Sequence, residues 1–415
     1  MNDSILDVLI VGGGLVGASL ACALEGSGLR VALAEASAAP AHAAPSAGRS
    51  QDRGAPSFDE RNLALARASR NALTALGVWT HLASATSPIE RIHVSSRGDF
   101  GAVRLAAADH GLDAFGAVVV ARELGAALEA RLSELASLTR LRPARLTALD
   151  MDATGVAARI ETPGGARDVR ARLVVAADGT ESTIRGLIGI EVERHDYEQT
   201  LFVATVQTER PHAQVAYERF TDSGPVALLP LGADRCGSIC TVPTGQAEAI
   251  AALDDAGYLS FLQERFGWRL GRLRRVGTRS AYPLQRVSAG ALTAPRAVLV
   301  GNAAQTIHPI GAQGFNLGLR DALTLAEELV ATHAVGSDPG APEVLARYAQ
   351  RRRVDREQTM AMSDGLVRLF ANRFAPLRAL RSLGLLALDA VPGLSDGLVA
   401  GAMGFRGDVP RLARS

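Results

Sequence analysis

The segment 296–320 holds the residues best suited to chemistry, between an apolar strand and an amphipathic helix. Its candidate residues are Asn302, His308, Pro309, Gln313, Gly314 and Asn316, together with the turn glycines Gly301 and Gly311. A strand, a glycine-rich turn and a helix N-terminus bring free backbone N–H groups and the positive end of the helix dipole to one place. The segment therefore predicts a site for a flat, anionic group.

The same arrangement occurs near the N-terminus, where Gly12, Gly14 and Gly17 satisfy G-x-G-x-x-G directly after an apolar strand. In this pattern the first glycine permits a tight turn, the second admits a pyrophosphate and the third allows close helix packing. Glu35 lies 18 residues beyond Gly17, at the end of the next predicted strand. A carboxylate at that position accepts hydrogen bonds from ribose hydroxyls, so the unit predicts a dinucleotide site.

A third turn, Asp178-Gly179, follows another apolar strand and precedes Ser182 and Arg185 at the start of a helix. Alone, it is an ordinary turn at the end of a strand. Together with the two glycine loops, it indicates one large cofactor that is held by opposite ends of the chain.

The elements around these loops follow a dinucleotide-binding pattern. Strands over 5–11 and 30–35 flank a helix over 15–24, which makes a βαβ unit of the expected length. The strands at 173–177 and 298–300 are apolar throughout, as is typical of buried parallel strands.

The rest of the chain divides into segments with different residue patterns. A long surface loop is predicted over 36–57, and helical periodicity over 59–76. Between 190 and 285 short strands alternate with turns, which is typical of an antiparallel sheet. The cofactor domain is therefore predicted to be discontinuous, with a substrate domain inserted in it. The predicted ranges are 1–77, 116–187 and 286–345 for the cofactor domain, 78–115 and 188–285 for the substrate domain, and 346–415 for a helical C-terminal region.

Composition narrows the functional class. The chain has 415 residues, a hydrophobic fraction of 47% and a net charge of +1, which argues against a nucleic-acid binder. Three cysteines are too few for a disulfide framework and fit a reducing compartment. The histidines do not cluster, so we expect no metal site. No apolar run is long enough for a membrane span, and a cytoplasmic location is predicted.

These motifs together resemble the class A FAD-dependent aromatic monooxygenases, which have an α/β, para-hydroxybenzoate-hydroxylase-like fold. Within that class the chain is most similar to the ubiquinone-biosynthesis hydroxylases, especially the branch acting on 2-polyprenyl-6-methoxyphenol. The segments that carry the resemblance are GGGLVG at 12–17, FDERNLAL at 58–65, VVAADGTESTIR at 174–185, AYERFTDSGPVALLPL at 216–231 and GNAAQTIHPIGAQGFNLGLRD at 301–321.

Two departures from the wider class stand out. Asn302 replaces an aspartate that binds a ribityl hydroxyl in the class, and its amide can still make that hydrogen bond. Gly311-Ala312 inverts the usual Ala-Gly order in the loop that faces the flavin. The first departure is interpreted as a mark of the subfamily, and the second leaves the geometry of this loop open.

The resemblance implies a role for each candidate residue. Glu35 is expected to bind the adenosine ribose. Asp178 and Asn302 are expected to hold the pyrophosphate–ribityl segment, and Pro309, Gln313, Gly314 and Asn316 to lie against the isoalloxazine ring. Arg61 and Arg122 are candidates for contacts to the pyrophosphate or the ribityl chain, although structural salt bridges would explain them equally well.

Residues for the substrate are harder to assign. His308 is a candidate base for the phenol proton, since imidazole titrates near neutrality, but a buried histidine that shapes the loop is the alternative. Tyr217 and Arg219, in the AYERF strand, are candidates for the cavity around the substrate ring.

The resemblance also implies the reaction. NAD(P)H binds transiently and reduces FAD, O2 is captured as a flavin C4a-hydroperoxide, and a hydroxyl is transferred to a polyprenylated phenol. Three alternatives remain open at this point. They are hydroxylation of another ring position or another phenol, reduction of isoprenoid double bonds on the same scaffold, and a flavin-bearing structural subunit without turnover.

The C-terminal region has two interpretations. Residues 363–405 are apolar-rich with interspersed arginines. They predict either helices that pack on the protein's own core or an amphipathic helix pair in peripheral contact with the inner membrane face or a biosynthetic complex.

Overall fold

A computed structural model describes residues 5–38, 61–232, 234–372, 374–391 and 393–414. Most of the predicted loop at 36–57 lies outside this range, as do the first residues of the FDERNLAL motif.

The strands alternate with helices in the N-terminal part of the chain and follow one another in the middle. They are Leu6–Val11 (β1), Val31–Ala34 (β2), Asn62–Ala66 (β3), Ser87–Ile89 (β4), Arg91–Ser96 (β5), Ala102–Ala106 (β6), Gly116–Val120 (β7), Thr139–Leu141 (β8), Arg145–Met151 (β9), Val156–Thr162 (β10), Gly165–Ala176 (β11), Val192–Thr208 (β12), Val215–Thr221 (β13), Gly224–Pro230 (β14), Arg235–Pro243 (β15), Leu273–Val276 (β16), Ser280–Ala289 (β17), Thr293–Ala294 (β18), Ala297–Leu299 (β19) and Gln305–Thr306 (β20).

The two longest of the described helices, with 22 and 30 residues, lie in the C-terminal part of the chain. The helices are Leu15–Ala23 (α1), Arg67–Ala75 (α2), Ala121–Ser133 (α3), Thr183–Leu187 (α4), Ala247–Ala251 (α5), Asp255–Phe266 (α6), Gln313–Ala334 (α7), Pro342–Ala371 (α8), Ala375–Ala390 (α9), Asp396–Ala402 (α10) and Arg411–Arg414 (α11). Short 3-10 turns occupy Trp79–His81, Ala83–Ala85, Ala107–His110, Thr244–Gln246, Gly301–Ala303 and Ile310–Ala312.

The first sheet has a parallel core in the order β19-β11-β1-β2-β8. Its central strands are apolar and buried at nearly every position, as parallel strands covered on both faces require, and the predicted buried strands are confirmed. The three strands β1, β11 and β19 end side by side, since Val11 pairs with Ala176 and Ala176 with Leu299. Their carboxyl ends therefore deliver the three predicted turns to one edge of the sheet.

The second sheet is mainly antiparallel, in the order β20-β17-β12-β15-β14-β13-β5-β6, with β16 paired to β12. It contains the strands between 190 and 285, the region for which the sequence predicted an antiparallel sheet. Helix α6 packs on one face of this sheet through Tyr258, Leu262 and Phe266. The domain boundaries themselves stay a prediction, and β20, which falls within 286–345, joins this second sheet.

The expected helix over 59–76 is only partly correct. Among the described residues of that range, Asn62–Ala66 forms strand β3, and the helix begins at Arg67. Strand β3 pairs with β7 in antiparallel register, Asn62 opposite Val120 and Ala66 opposite Gly116. The alanines and leucines here have high helix propensity, but tertiary pairing overrides it.

Helices α1 and α7 approach each other more closely than side chains allow, and glycine makes this possible. A Cβ at Gly318 would lie 2.8 Å from Val16 Cγ2 and 3.0 Å from Gly301 Cα. Gly301 itself has φ +60°, and a Cβ there would lie 3.0 Å from the Val16 side chain. Helix α1 therefore packs directly against the turn that follows β19.

Helices α8 and α9 pack beside the second sheet. Phe370 of α8 stacks on Phe220 of β13, and Arg378 and Arg381 of α9 pair with Asp99. Within the part of the chain that the structure describes, no helix combines the length and apolarity that crossing a bilayer requires.

The glycine contact between α1 and α7 yields a stability test. We expect Gly318→Ala to lower the free energy of unfolding by about 1–3 kcal/mol because its methyl group overlaps backbone and a β-branched side chain. Gly365→Ala in α8 is the matched control, since a Cβ there meets nothing within 4 Å. The control should be neutral or stabilising by about 0.5–1 kcal/mol. Urea unfolding of both variants measures the difference, and equal stabilities would contradict the packing argument.

Candidate functional site

The N-terminal glycine loop packs so tightly against backbone atoms that two of its glycines have no room for a side chain. Gly12 has φ +103°, and a Cβ there would overlap the Ala177 carbonyl; a Cβ at Gly17 would overlap the Gly12 carbonyl. Gly14 precedes α1 in an extended conformation, and no side chain caps the helix. The first N–H groups of α1 are therefore open toward a ligand, as a pyrophosphate requires.

Glu35 lies at the end of β2 and borders the same loop. Its Oε2 accepts a hydrogen bond from the Gly13 amide at 2.6 Å, and its Oε1 accepts one from the Ser37 amide at 2.7 Å. The carboxylate thus braces the glycine turn while one edge faces the groove that Gly12–Gly14, Ala36 and Asp178 also line. Each oxygen keeps a second lone pair, so a ribose hydroxyl could still bind.

Asp178 borders this groove but is engaged by its own turn. Its Oδ1 accepts from the Ser182 hydroxyl at 2.5 Å, and its Oδ2 accepts from the Ile184 amide at 3.1 Å. Arg185 is buried and donates to the carbonyls of Thr180 and Ala303, both at 2.8 Å. The Asp178 turn is therefore tied to the turn that carries Asn302, whose side chain is exposed.

The loop 308–316 has an unusual backbone. Gly311 and Ala312 both adopt left-handed conformations, with φ of +67° and +51°. The inverted Gly-Ala order therefore places an alanine where glycine would be free of strain, at a cost of about 1 kcal/mol. Helix α7 begins directly after Ala312 without a side-chain cap, so its first N–H groups are also open.

Two polar side chains hold this loop in place. The buried Asn316 accepts from the Ala66 amide at 2.9 Å and from the Ser69 hydroxyl at 2.7 Å, and donates to the Ala64 and Ala312 carbonyls. Gln313 donates to the Gly311 carbonyl at 3.0 Å. The Asn316 amide is thus committed to joining β3 to the loop, and its contact with the flavin stays a prediction.

His308 is buried and neutral. Its Nδ1 accepts from the Ile310 amide at 3.3 Å, and its Nε2 lies 3.1 Å from Gln199 Oε1. Burial lowers the pKa of His308 to about 4. Both ring nitrogens are engaged and the ring has little affinity for a proton, so the geometry favours the structural alternative over the base.

A large apolar cavity adjoins the loop. It has a volume of about 350 Å³ and lies between the second sheet, β3, the 308–316 loop and helices α8 to α10. Its walls include Leu65, Val94, Ala227, Pro309, Ile310, Leu366, Phe370, Leu385 and Met403. Volume and lining fit a small-molecule site for an apolar ligand.

Of the two predicted substrate residues, Tyr217 is among those that line the cavity and Arg219 is not, and both side chains contact helix α6. Tyr217 packs edge-on against Phe266 of α6, and Arg219 donates to the Phe266 carbonyl at 2.7 Å. Residues of one strand alternate between faces, and Glu218 takes the cavity side. Sequence reasoning missed Glu218, although its spacing from Ala216 and Phe220 puts it on one apolar face of β13.

The two candidate arginines contact other parts of the protein. Arg61 lies with its guanidinium 5.5 Å from the Tyr282 ring centre, and its carbonyl accepts from the Ala121 amide. Arg122 is exposed and pairs with Glu123 at 3.0 Å. Their contacts to the cofactor stay predictions.

Comparison with known proteins agrees with this geometry. The FAD binding domain family matches residues 5–363. Ubiquinone hydroxylase UbiL of Rhodospirillum rubrum is 39% identical over 99% of this chain and 93% of the relative. The 3-demethoxyubiquinol 3-hydroxylase of Escherichia coli is 31% identical over 98% of this chain and 100% of the relative.

A solved structure supports the fold. The p-nitrophenol 4-monooxygenase PnpA from Pseudomonas putida DLL-E4 superposes with a TM-score of 0.78 over 97% of this chain and 98% of that chain, at 19% identity. The predicted α/β fold, with an FAD domain and an antiparallel-sheet domain, is confirmed.

Glu35 provides a test of the adenosine end of the site. We expect Glu35→Ala to weaken FAD binding about 10- to 100-fold, because a charged acceptor is worth about 1.5–3 kcal/mol. Fluorescence quenching of FAD during titration measures the affinity. Glu248→Ala, in the exposed helix α5, is the control and should bind FAD like the wild type. Unchanged affinity in Glu35→Ala would contradict its assignment.

Proposed function

The chain belongs to the FAD-dependent aromatic monooxygenases, in the family of the ubiquinone hydroxylases, and from this premise we propose that it hydroxylates the ring of a polyprenylated phenol in ubiquinone biosynthesis. The substrate that we assign is a 2-polyprenyl-6-methoxyphenol. The relative from E. coli is named for a 3-hydroxylation, so the ring position belongs to the proposal.

The observation that carries the proposal is the apolar cavity beside the 308–316 loop. Pro309, Ile310 and Gln313 line it together with apolar side chains of the second sheet and of α8 to α10. A phenol with an isoprenoid tail needs this combination, a ring site next to the flavin and a surrounding wall of hydrocarbon.

FAD fits the residues that would hold it, since two uncapped helix N-termini and a glycine groove suit its pyrophosphate and ring. When bound, FAD takes reducing equivalents from NAD(P)H and uses O2 to oxygenate the ring. Gly12–Gly14 and Glu35 would bind the adenosine end, and Pro309, Gln313 and Gly314 the isoalloxazine. The open N–H groups at the start of α7 would stabilise negative charge, and the apolar walls exclude water.

The reaction can be tested in a bacterial strain that lacks its 2-polyprenyl-6-methoxyphenol hydroxylase. We expect expression of this chain to restore ubiquinone and to remove the accumulated polyprenylphenol, measured by mass spectrometry of lipid extracts. The strain with empty vector is the control. Persistence of the intermediate, with the protein expressed and yellow with FAD, would contradict the proposed substrate and direct the assay to strains that lack the sister hydroxylases.

We propose further that α9 and α10 make a peripheral contact with the membrane that holds such a substrate. Support comes from a set of exposed apolar side chains in these two helices and in the residues that flank them, namely Phe374, Leu380, Leu383, Leu386, Val391, Leu394 and Leu398. The same two helices line the cavity through Leu385, Leu388 and Val399. An apolar outer face that continues into the cavity wall would let a prenyl chain pass without meeting water.

Vesicle binding tests this contact. We expect the wild type to sediment with vesicles of phosphatidylethanolamine and phosphatidylglycerol, and the triple variant Leu380→Ser, Leu383→Ser, Leu394→Ser to lose most of that binding. Val335→Ser is the control, because Val335 is 75% exposed but follows α7, outside these helices. Equal sedimentation of all three proteins would contradict a membrane contact through α9 and α10.

A further inference from the structure

Glu218 lies in the middle of the sheet wall of the cavity. Within β13 it alternates with Tyr217 and Arg219, and its face is shared with Ala216 and Phe220. Its partners across the sheet are Val94 in β5 and Ala227 in β14. Each of these neighbours on the cavity side is apolar, so a carboxyl group is surrounded by hydrocarbon.

Among the residues that the structure describes, none forms a hydrogen bond or an ion pair with the Glu218 carboxyl group. Of the described residues that line the cavity, Glu218 is the only one with a side chain that carries charge near neutral pH. Burial raises the pKa of Glu218 to about 7, and no neighbouring cation offsets this effect. Burying an unpaired carboxylate is costly, so such a group in a cavity is a candidate for function.

The other titratable groups around the cavity are already engaged. His308, from the loop, is neutral with both nitrogens occupied. The side chains of Tyr217 and Arg219 contact α6. At the end of the cavity closed by Phe370, Arg381 of α9 pairs with Asp99. Within this described set, Glu218 is the proton acceptor that remains available to a ligand.

We propose that Glu218 is a catalytic residue that accepts the hydrogen bond, and then the proton, of the substrate's phenolic hydroxyl. The inference rests on the proposed function, because it requires a phenol in this cavity. The phenol O–H bond breaks, its proton passes to a Glu218 oxygen, and the electron pair stays on the phenolate oxygen. No redox change is involved. The phenolate directs electrophilic attack to its ortho and para carbons, and the proton returns to the product or leaves to solvent.

This role also fixes the orientation of the ring. The hydroxyl would be anchored at the sheet wall, while the reacting carbon faces the wall formed by the 309–313 loop. The methoxy and prenyl substituents would then lie against the remaining apolar walls. Glu218 therefore acts on both reactivity and ring position, which the apolar lining alone does not determine.

The test compares a short-chain 2-prenyl-6-methoxyphenol with its O-methyl ether, both binding to the FAD-loaded protein and monitored by flavin absorbance. A hydrogen bond to a charged acceptor is stronger than one to a neutral acceptor, so we expect the phenol to gain about tenfold or more in affinity between pH 5.5 and 8.5. The direction follows from Glu218, which becomes a carboxylate as the pH rises through 7. The ether has no proton to donate and should show no such gain.

Variants assign the effect to Glu218. Glu218→Gln should abolish the pH-dependent gain and lower kcat for the phenol, with the pH inflection of kcat/KM removed. Glu218→Asp keeps a carboxylate and should restore part of both. Glu248→Gln is the matched control on exposed α5 and should behave like the wild type.

The outcomes separate the two claims. If wild type converts the phenol but phenol and ether bind with the same pH dependence, the role of Glu218 is wrong and the hydroxylase proposal stands. The role is equally wrong if Glu218→Gln keeps the wild-type pH profile. If wild type converts no polyprenylphenol, the proposed function fails. The comparison of phenol and ether requires no variant, so it decides the role of Glu218 even if Glu218→Gln does not fold.

Discussion

The close contact of Val16, Gly301 and Gly318 is the constraint on which the site depends. Here α1, the turn after β19 and α7 meet with no room for a side chain at either glycine. The two glycine loops come from opposite ends of the chain, and this contact makes them neighbours. Because packed interiors tolerate little added volume, this contact fixes the spacing between the two glycine loops.

A buried ionic network holds the second glycine loop, between β19 and α7, in that position. Asp321 of α7 accepts from the Gly301 amide at 3.2 Å and from Gln305 at 2.7 Å, and its other oxygen pairs with Arg352 at 2.7 Å. Arg352 and Arg320 both pair with Asp355. These side chains are almost fully buried, so breaking one pair would leave an uncompensated charge. These contacts fix helix α8 to the turn after β19. The same helix continues to Phe370 and lines the cavity, so α8 positions both the cofactor loop and the cavity wall.

Much of this architecture is predictable from local sequence, because glycine spacing and apolar strands are local signals. Gly12, Gly17 and Glu35 follow from a pattern whose physical reasons are explicit, and they lie where expected. The expected helix over 59–76 was partly wrong because pairing with β7 is a long-range effect. His308 and Glu218 show a second limit. Residue type alone nominated the histidine, whose role as a base stays a prediction and whose pKa depends on burial that only the fold reveals. The phase of β13 decides which of three adjacent side chains has only apolar neighbours on the cavity side.

A crystal structure of the FAD-loaded protein tests the central claim most directly, namely that one cofactor is held by both glycine loops. We expect a single FAD per chain, with its ribose at Glu35, its pyrophosphate at the N-terminus of α1, and its isoalloxazine ring against Pro309 and Gln313. The ring edge should border the cavity that Glu218 faces. An FAD molecule that contacts only the N-terminal loop, with its ring away from 309–316, would show that the two glycine loops do not bind one cofactor.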